Sequence, residues 1–274
     1  MSPILAACIE MLFVAEATDP SERIALAAQA GFGAVEFWRW RTKDIAALKL
    51  SLDHNAMAVA AMVIDPMISL VDGGVRDAFC VSLSQSLDVA RQLDVGVLIA
   101  PAGKDIAELS GQKKRGAVID CLKRAADILE GSGIPIAIEP LNTRVDHPGF
   151  FLSSTEQALD IVDAVGRPEV KLTYDLYHSM AMGERTEQVL AGRVDRLAHV
   201  HVADLPGRGE PGSGTLPLRQ ALDWLLGQGY SGAIGFEYRP SKDTRSSVEA
   251  ALASLRLGSS WEDVDMAPPS GSGA

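Results

Sequence analysis

Residues 196–214 read RLAHVHVADLPGRGEPGSG, an apolar stretch carrying His199 and His201 that runs into a glycine-rich loop. Two architectures compete for it. Gly207-Arg208-Gly209-Glu210-Pro211-Gly212 has the G-x-G-x-x-G spacing of a dinucleotide-binding turn, and an acid, Glu237, ends a later apolar run. In such a turn the glycines follow the first strand directly and open a helix, because the pyrophosphate sits on that helix's N-terminus. Here Ala203, Asp204, Leu205 and Pro206 stand between strand and loop, Pro211 interrupts the turn, and helical periodicity returns only near Leu218. The stretch instead reads as a late buried strand, its two histidines on one face, followed by a loop that bends flexibly over a site and carries Arg208 toward it.

Working outward, seven further apolar runs have strand character: Ile4 to Leu12, Ala34 to Trp38, Ala58 to Ile64, Val95 to Pro101, Ile134 to Glu139, Val170 to Asp175 and Ala233 to Tyr238, with Leu197 to Asp204 as the seventh in order. Amphipathic segments with apolar residues recurring at three and four positions lie between them, one after each strand. Asp19-Pro20-Ser21-Glu22 and Ser153-Ser154-Thr155-Glu156 are helix starts, and both of those helices stop at glycine. TEQVLAGRVD, from Thr186, reads as the helix of the sixth unit. Eight βα units whose strands are apolar on both faces predict an α/β protein built as one (β/α)8 TIM barrel over residues 1–258. Residues 259–274, polar and rich in Pro, Gly and Ser, predict a flexible tail.

The 274 residues, 47% hydrophobic and 22% charged, are enough for such a barrel. The formal net charge of −11 argues against a nucleic-acid partner, whose phosphates call for clustered Lys and Arg. Leu5-Ala6-Ala7-Cys8 has the look of a lipoprotein cleavage box but lacks a basic lead and a long apolar core, so it is read as strand. No run has the length of a membrane span, and three cysteines without paired spacing fit a reducing compartment; the cytoplasm is the expected location. Exposed aromatic residues near the mouth, Trp38 and Trp40 among them, fit either core packing or a homo-oligomer contact.

Active sites of such barrels are built at the C-terminal strand ends. The last four strands end in Glu139, Asp175, His201 and Glu237, successive members lying roughly one βα repeat apart. Singly, each has a plain structural role open to it: a helix cap, a partner for a loop amide, an ion pair for Glu237 with Arg239. Together they converge, and buried as a set they demand a cation or mutual pairing. The mixed oxygen and nitrogen donors suit Mg²⁺, Mn²⁺ or Co²⁺ better than structural zinc. His201 is nearer the strand's catalytic end, which leaves His199 to pack or to orient from behind. Glu10, Glu36, Trp38 and Asp65 are the lining candidates from the first four strands.

IEPLNTR, DHPGFFLSS, YDLYH, HVHVADLPGRGEPGSG and GFEYRP, in that order, resemble the hydroxypyruvate isomerase branch of the xylose-isomerase-like barrel superfamily, which also holds the ketose 3-epimerases. The resemblance implies a divalent metal held by Glu139, Asp175, His201 and Glu237, with Glu139 and Glu237 doubling as interchangeable acid and base. It also implies a substrate contact at His178. Hydroxypyruvate-isomerase-type members can carry Gln where this chain has His201, whereas the epimerases use His. The implied enzyme is an intramolecular oxidoreductase of the aldose-ketose type, moving a proton through an enediolate. Its substrate is hydroxypyruvate, giving tartronate semialdehyde, or a related 2-oxo sugar acid. Arg208, Arg144 and Arg239 are candidates for a substrate carboxylate. Ketose 3-epimerisation is the alternative on the same residues, and a nicotinamide-dependent oxidoreductase is the more distant one.

Overall fold

The computed structural model describes residues 3–257; the expected tail lies outside them. Eight strands close into an all-parallel barrel in sequence order: β1 (Leu5–Cys8), β2 (Ala34–Phe37), β3 (Ala58–Val63), β4 (Val95–Pro101), β5 (Ile136–Glu139), β6 (Val170–Asp175), β7 (Leu197–Val202) and β8 (Ala233–Phe236). Each pairs with its sequence neighbours, and β8 pairs with β1. This is the predicted (β/α)8 barrel. Most strands are shorter than their apolar runs, because the ends of the runs turn into loops that line the mouth.

Outside the barrel lie α1 (Pro20–Gln29), α2 (Ile45–His54), α3 (Arg76–Gln92), α4 (Gly111–Leu129), α5 (Thr155–Val165), α6 (Leu176–Ala181), α7 (Thr186–Val189), α8 (Leu218–Gly227) and α9 (Thr244–Leu255). The Asp19 side chain caps α1 by accepting from the Ser21 N–H, and Ser154 caps α5 by accepting from the Gln157 N–H. Each such cap satisfies an amide that the helix itself leaves unpaired. The sixth unit differs from its prediction. Its helix is split into α6 and α7 around Gly183, and the run from Thr186 stays helical only to Val189 before Gly192 takes a left-handed φ of 71°. The first piece begins immediately after β6 because Asp175 doubles as its N-cap. No helix among the described residues is long and apolar enough to cross a membrane.

The main core fills the layer between helices and barrel. Inside the barrel a small apolar cluster, Ala61, Val97, Ile99 and Ala137, occupies the β3 to β5 side. The opposite side, from β6 around to β2, is polar and buried: Thr173, Asp175, His199, His201, Glu237 and Glu36. A lumen apolar on one side and ionisable on the other is costly unless the charges are matched, and this asymmetry places the site.

Candidate active site

Register brings the strand-end residues together. His201 on β7 is level with Asp175 on β6 and Gly235 on β8, while Glu139 ends β5 level with Pro101. One donor atom from each of Glu139, Asp175, His201 and Glu237 lies within 4.8 Å of the others, and all four residues are buried. His201 Nδ1 faces the carboxylates: Glu139 Oε1 at 2.8 Å, Glu237 Oε2 at 3.3 Å and Asp175 Oδ2 at 4.0 Å. A void of about 10 Å³, lined in part by Glu36, Glu139, His201 and Glu237, adjoins them, room for about one water-sized body. Hard oxygen donors with one imidazole, gathered around so small a space, fit a divalent cation.

Charge makes the same point. Burial, joined by repulsion from Glu139 and Glu36, pushes the Glu237 carboxyl up to about 7 against the pull of Arg208 and His201. His201 goes the other way. Burial opposes its charged form, yet Glu36, Glu237 and Glu139 hold its imidazole well above the ordinary value. The protein itself supplies one further cation. Arg208 is buried, and its Nη2 reaches Asp175 Oδ2 at 3.3 Å and makes a short contact with Glu237 Oε2, while its Nε donates to the Glu237 carbonyl at 3.2 Å. Three carboxylates therefore face Arg208 and one imidazole, and that imidazole is shared.

The glycine loop explains how Arg208 gets there. Asp204 accepts four loop amides: Leu205 and Leu216 on Oδ1, Gly212 and Gly214 on Oδ2, all at 2.8–3.0 Å. Within the G-x-G-x-x-G segment itself, the Gly209 and Gly212 N–H groups are both taken by Asp204. Gly214 packs so closely on Leu205 that a side chain there would collide with its carbonyl. Glu210 ties the loop to the next one through Ser241 and to α9 through Ser247, and the Arg208 carbonyl accepts from the Arg239 N–H at 2.7 Å. The loop is thus a braced platform rather than the flexible cover expected from its glycines, and Arg208, at φ 59°, is its inward-pointing residue.

His178 sits on α6 with its Nδ1 2.7 Å from Asn142 Nδ2 and 3.3 Å from the Asn142 N–H, which makes Nδ1 an acceptor and leaves the proton on Nε2. That Nε2 is buried without a hydrogen-bond partner, 3.5 Å from Asp175 Oδ2. Burial lowers the His178 pKa, so the ring stays neutral. Asp146 holds the arrangement, accepting from Asn142 Nδ2 at 2.7 Å and from the Tyr177 hydroxyl at 2.6 Å. Asn142, Asp146 and Tyr177 were not singled out from the sequence, although they stand in the very motifs that carry the family resemblance.

A cavity of about 420 Å³ opens above these groups, lined by Glu139, His147, His178, Arg208 and Glu237 on one side and by Trp38, Arg39, Asp65 and Met67 on the other. Arg144 is not among its lining residues; its side chain is exposed and its Nη1 donates to the Ala181 carbonyl. Arg39 is, and sequence reasoning passed it over. Its backbone takes the left-handed φ of 52°, and its guanidinium has no hydrogen-bond or ion-pair partner among the described residues. The segment is clamped. Trp38 donates its N–H to Glu10 Oε1 at 3.2 Å and accepts at its carbonyl from Lys43 Nζ at 2.7 Å, and Lys43 and Glu10 pair with each other. His199 approaches none of the three mouth carboxylates; its Nε2 lies 2.6 Å from Glu36 Oε2.

Comparison with known proteins agrees with this architecture. The profile of the xylose isomerase-like TIM barrel family matches residues 24–257. Hydroxypyruvate isomerase of Escherichia coli is 31% identical over 82% of this chain and 90% of the relative. The 2-oxo-tetronate isomerase of Cupriavidus necator is 28% identical over 83% and 90%. A solved structure from Brucella melitensis, described as an AP endonuclease of family 2, is 30% identical and superposes with a TM-score of 0.85 over 92% of this chain and 98% of its own.

Proposed function

The chain belongs to the xylose isomerase-like TIM barrel family, and from that premise we propose that it is a divalent-metal-dependent isomerase of small 2-hydroxy carbonyl acids, acting on hydroxypyruvate or a close 2-oxo sugar acid. The observation that carries this reading is the convergence of Glu139, Asp175, His201 and Glu237, four buried donors from four consecutive strands, within 4.8 Å of one another. Curated relatives named for isomerisation of hydroxypyruvate and of a 2-oxo-tetronate support the substrate class.

A bound Mg²⁺, Mn²⁺ or Co²⁺ would supply Lewis acidity, making the proton on the hydroxyl-bearing carbon easier to remove. The chain's own residues do the rest. Glu139 and Glu237 reach the site from β5 and β8, with β6 and β7 between them. One carboxylate takes the proton from the hydroxyl-bearing carbon, and a carboxyl returns a proton to the former carbonyl carbon while the hydroxyl proton passes to the former carbonyl oxygen. Atoms balance and no redox partner is needed. Either glutamate can start. The partnerless His178 Nε2–H is suited to a substrate oxygen, and Arg208 offers its guanidinium to the same region. Arg39, a lining cation with no carboxylate partner among the described residues, favours a substrate that brings one.

Epimerisation of a ketose is the second reading, favoured by the histidine at position 201. The glycine loop follows the seventh strand, opens no helix and spends its Gly209 and Gly212 N–H groups on Asp204, which disfavours a dinucleotide-binding turn, and the net charge of −11 suits neither DNA nor RNA. Three free cysteines agree with a cytoplasmic location. The test is to incubate the protein and Mn²⁺ or Mg²⁺ in D₂O with hydroxypyruvate, 2-oxo-tetronate and neutral ketoses, following deuterium by NMR. Label appearing with interconversion of the carbonyl and hydroxyl carbons of an acid is the expected result. Label with inversion at one carbon of a ketose selects the epimerase, and no exchange with any compound despite bound metal removes both.

A further inference from the structure

Beneath the four-donor site lies a second buried group, Glu36, His199 and His201, whose polar atoms also lie within 4.8 Å of one another. Glu36 enters from β2, on the far side of the barrel from β6. Its Oε2 lies 2.6 Å from His199 Nε2, at hydrogen-bond distance, and its Oε1 lies 3.3 Å from His201 Nε2, a charge contact outside hydrogen-bond alignment, so one carboxylate spans the two rings. The rings meet edge to face with centroids 4.7 Å apart. The backbone makes room for this: a side chain at Gly235, level with His201 on β8, would collide with the Glu36 carboxylate. All three residues are buried.

We propose that Glu36, itself braced by His199, is a positioning residue whose carboxylate, placed against the Nε2 edge of the His201 ring, keeps Nδ1 and not Nε2 presented to Glu139, Asp175 and Glu237. The inference rests on the reading of those four residues as metal ligands. Imidazole has two nearly equivalent nitrogens, and a ring free to turn about its χ2 could offer either one or present neither at a useful angle. A carboxylate behind the ring removes that freedom, fixing tautomer and orientation and raising the basicity of the opposite nitrogen. The distances divide the two nitrogens cleanly: Nδ1 is 2.8 Å from Glu139 and 3.3 Å from Glu237, whereas Nε2 is 3.3 Å from Glu36. His199 completes the device. With one Glu36 oxygen tied to His199, the carboxylate has a single orientation in which the other oxygen faces His201.

The experiment compares Mn²⁺ binding by the chelator-treated full chain and its Glu36→Gln variant, by calorimetry and by the EPR signal of free Mn²⁺. The amide keeps the shape but presents an N–H₂ to one of two ring N–H groups. Affinity is expected to fall by about 10–100-fold, the usual cost of losing such a partner, while far-UV circular dichroism stays unchanged. A variant that binds as tightly as the wild type overturns the inference and leaves the metal reading standing. A wild type that binds no divalent ion overturns both. Should Glu36→Gln not fold, long-range ¹H–¹⁵N NMR of the Mg²⁺-loaded wild type decides directly. His201 protonated on Nε2 with a bare Nδ1 is expected, and the reverse tautomer overturns the proposal.

Discussion

Two clusters of carboxylate and imidazole meet at His201, and they solve the problem of buried charge in opposite ways. In the lower one a single carboxylate, Glu36, faces two histidines, whose attraction outweighs burial and brings its pKa down to about 2. In the upper one three carboxylates crowd together, and burial with mutual repulsion lifts Glu237 to about 7 despite Arg208 and His201. Both glutamates are equally buried, at 3% and 4% exposure. Burial alone therefore does not distinguish them. What differs is the count of compensating charges: the lower carboxylate has two imidazoles facing it, although its Oε1 and the His199 Nδ1 make no hydrogen bond among the described residues, while the upper three carboxylates have only Arg208 and the shared His201 ring.

The largest expected break in this contrast comes from the upper carboxylates. Glu139→Gln and Glu237→Gln are each expected to lower isomerisation by about 10²–10⁴-fold, the usual worth of a positioned acid or base, measured as initial deuterium incorporation in D₂O. Either variant retaining full rate would remove the acid–base assignment.

The contrast can next be read from pH, without mutation. Glu237 is raised in the folded chain from 4.5 to about 7, so folding favours its protonated form. The stability it contributes is fully present below about pH 4.5 and is lost as pH rises to about 7, a change on the order of 3 kcal/mol for the metal-free protein. Glu36 has the opposite sign: its contribution is present above about 4.5 and fades as pH falls toward 2. Denaturant titrations of chelator-treated protein between pH 4.5 and 7.5 check the first trend. Added Mn²⁺ at about 100 times its Kd should restore about 2.7 kcal/mol at neutral pH, and a pH-independent metal-free stability would speak against the crowded upper cluster.

Glycine at position 235 sharpens the comparison from the lower side. Gly235→Ala pushes a methyl into the Glu36 carboxylate, with an expected cost of about 1–3 kcal/mol in stability for overpacking and a weaker Mn²⁺ affinity as His201 is displaced. Unaltered stability and affinity would mean that Glu36 has room to move and holds nothing. The smallest effect concerns the mouth. Arg39→Met is expected to raise KM for a carboxylated substrate about tenfold, the worth of one hydrogen bond to a charged group. It should leave kcat and any turnover of neutral ketoses nearly unchanged, as steady-state assays on both substrate types would show.

The barrel and the convergence of Glu139, Asp175, His201 and Glu237 were legible in the sequence because both are periodic. Strands recur, and a residue's place at a strand end can be counted along the chain. The pairing of Glu36 with His199 was not, since it joins residues 163 positions apart across the lumen, and only closure of the barrel brings β2 opposite β7. The role of the glycine loop was misread as flexibility for a similar reason. Nothing local reveals that Asp204 gathers the amides of residues 205, 212, 214 and 216. The split of the sixth helix was hidden because Asp175 has two local roles at once, strand-end donor and helix cap. Arg144 and Arg39 show the same limit at the mouth: both stand beside strand ends, and loop conformation alone decides which of them lines the cavity.

The most direct test of the central claim is the stoichiometry of Mn²⁺ bound to the chelator-treated full chain, by equilibrium dialysis with elemental analysis, alongside Asp175→Asn and His199→Gln variants. The account predicts one ion per wild-type chain, binding severely weakened in Asp175→Asn, and one ion still bound, though less tightly, in His199→Gln. Two ions per chain, with one lost in His199→Gln, would contradict it, because the lower cluster would then be a metal site and not the support of the upper one.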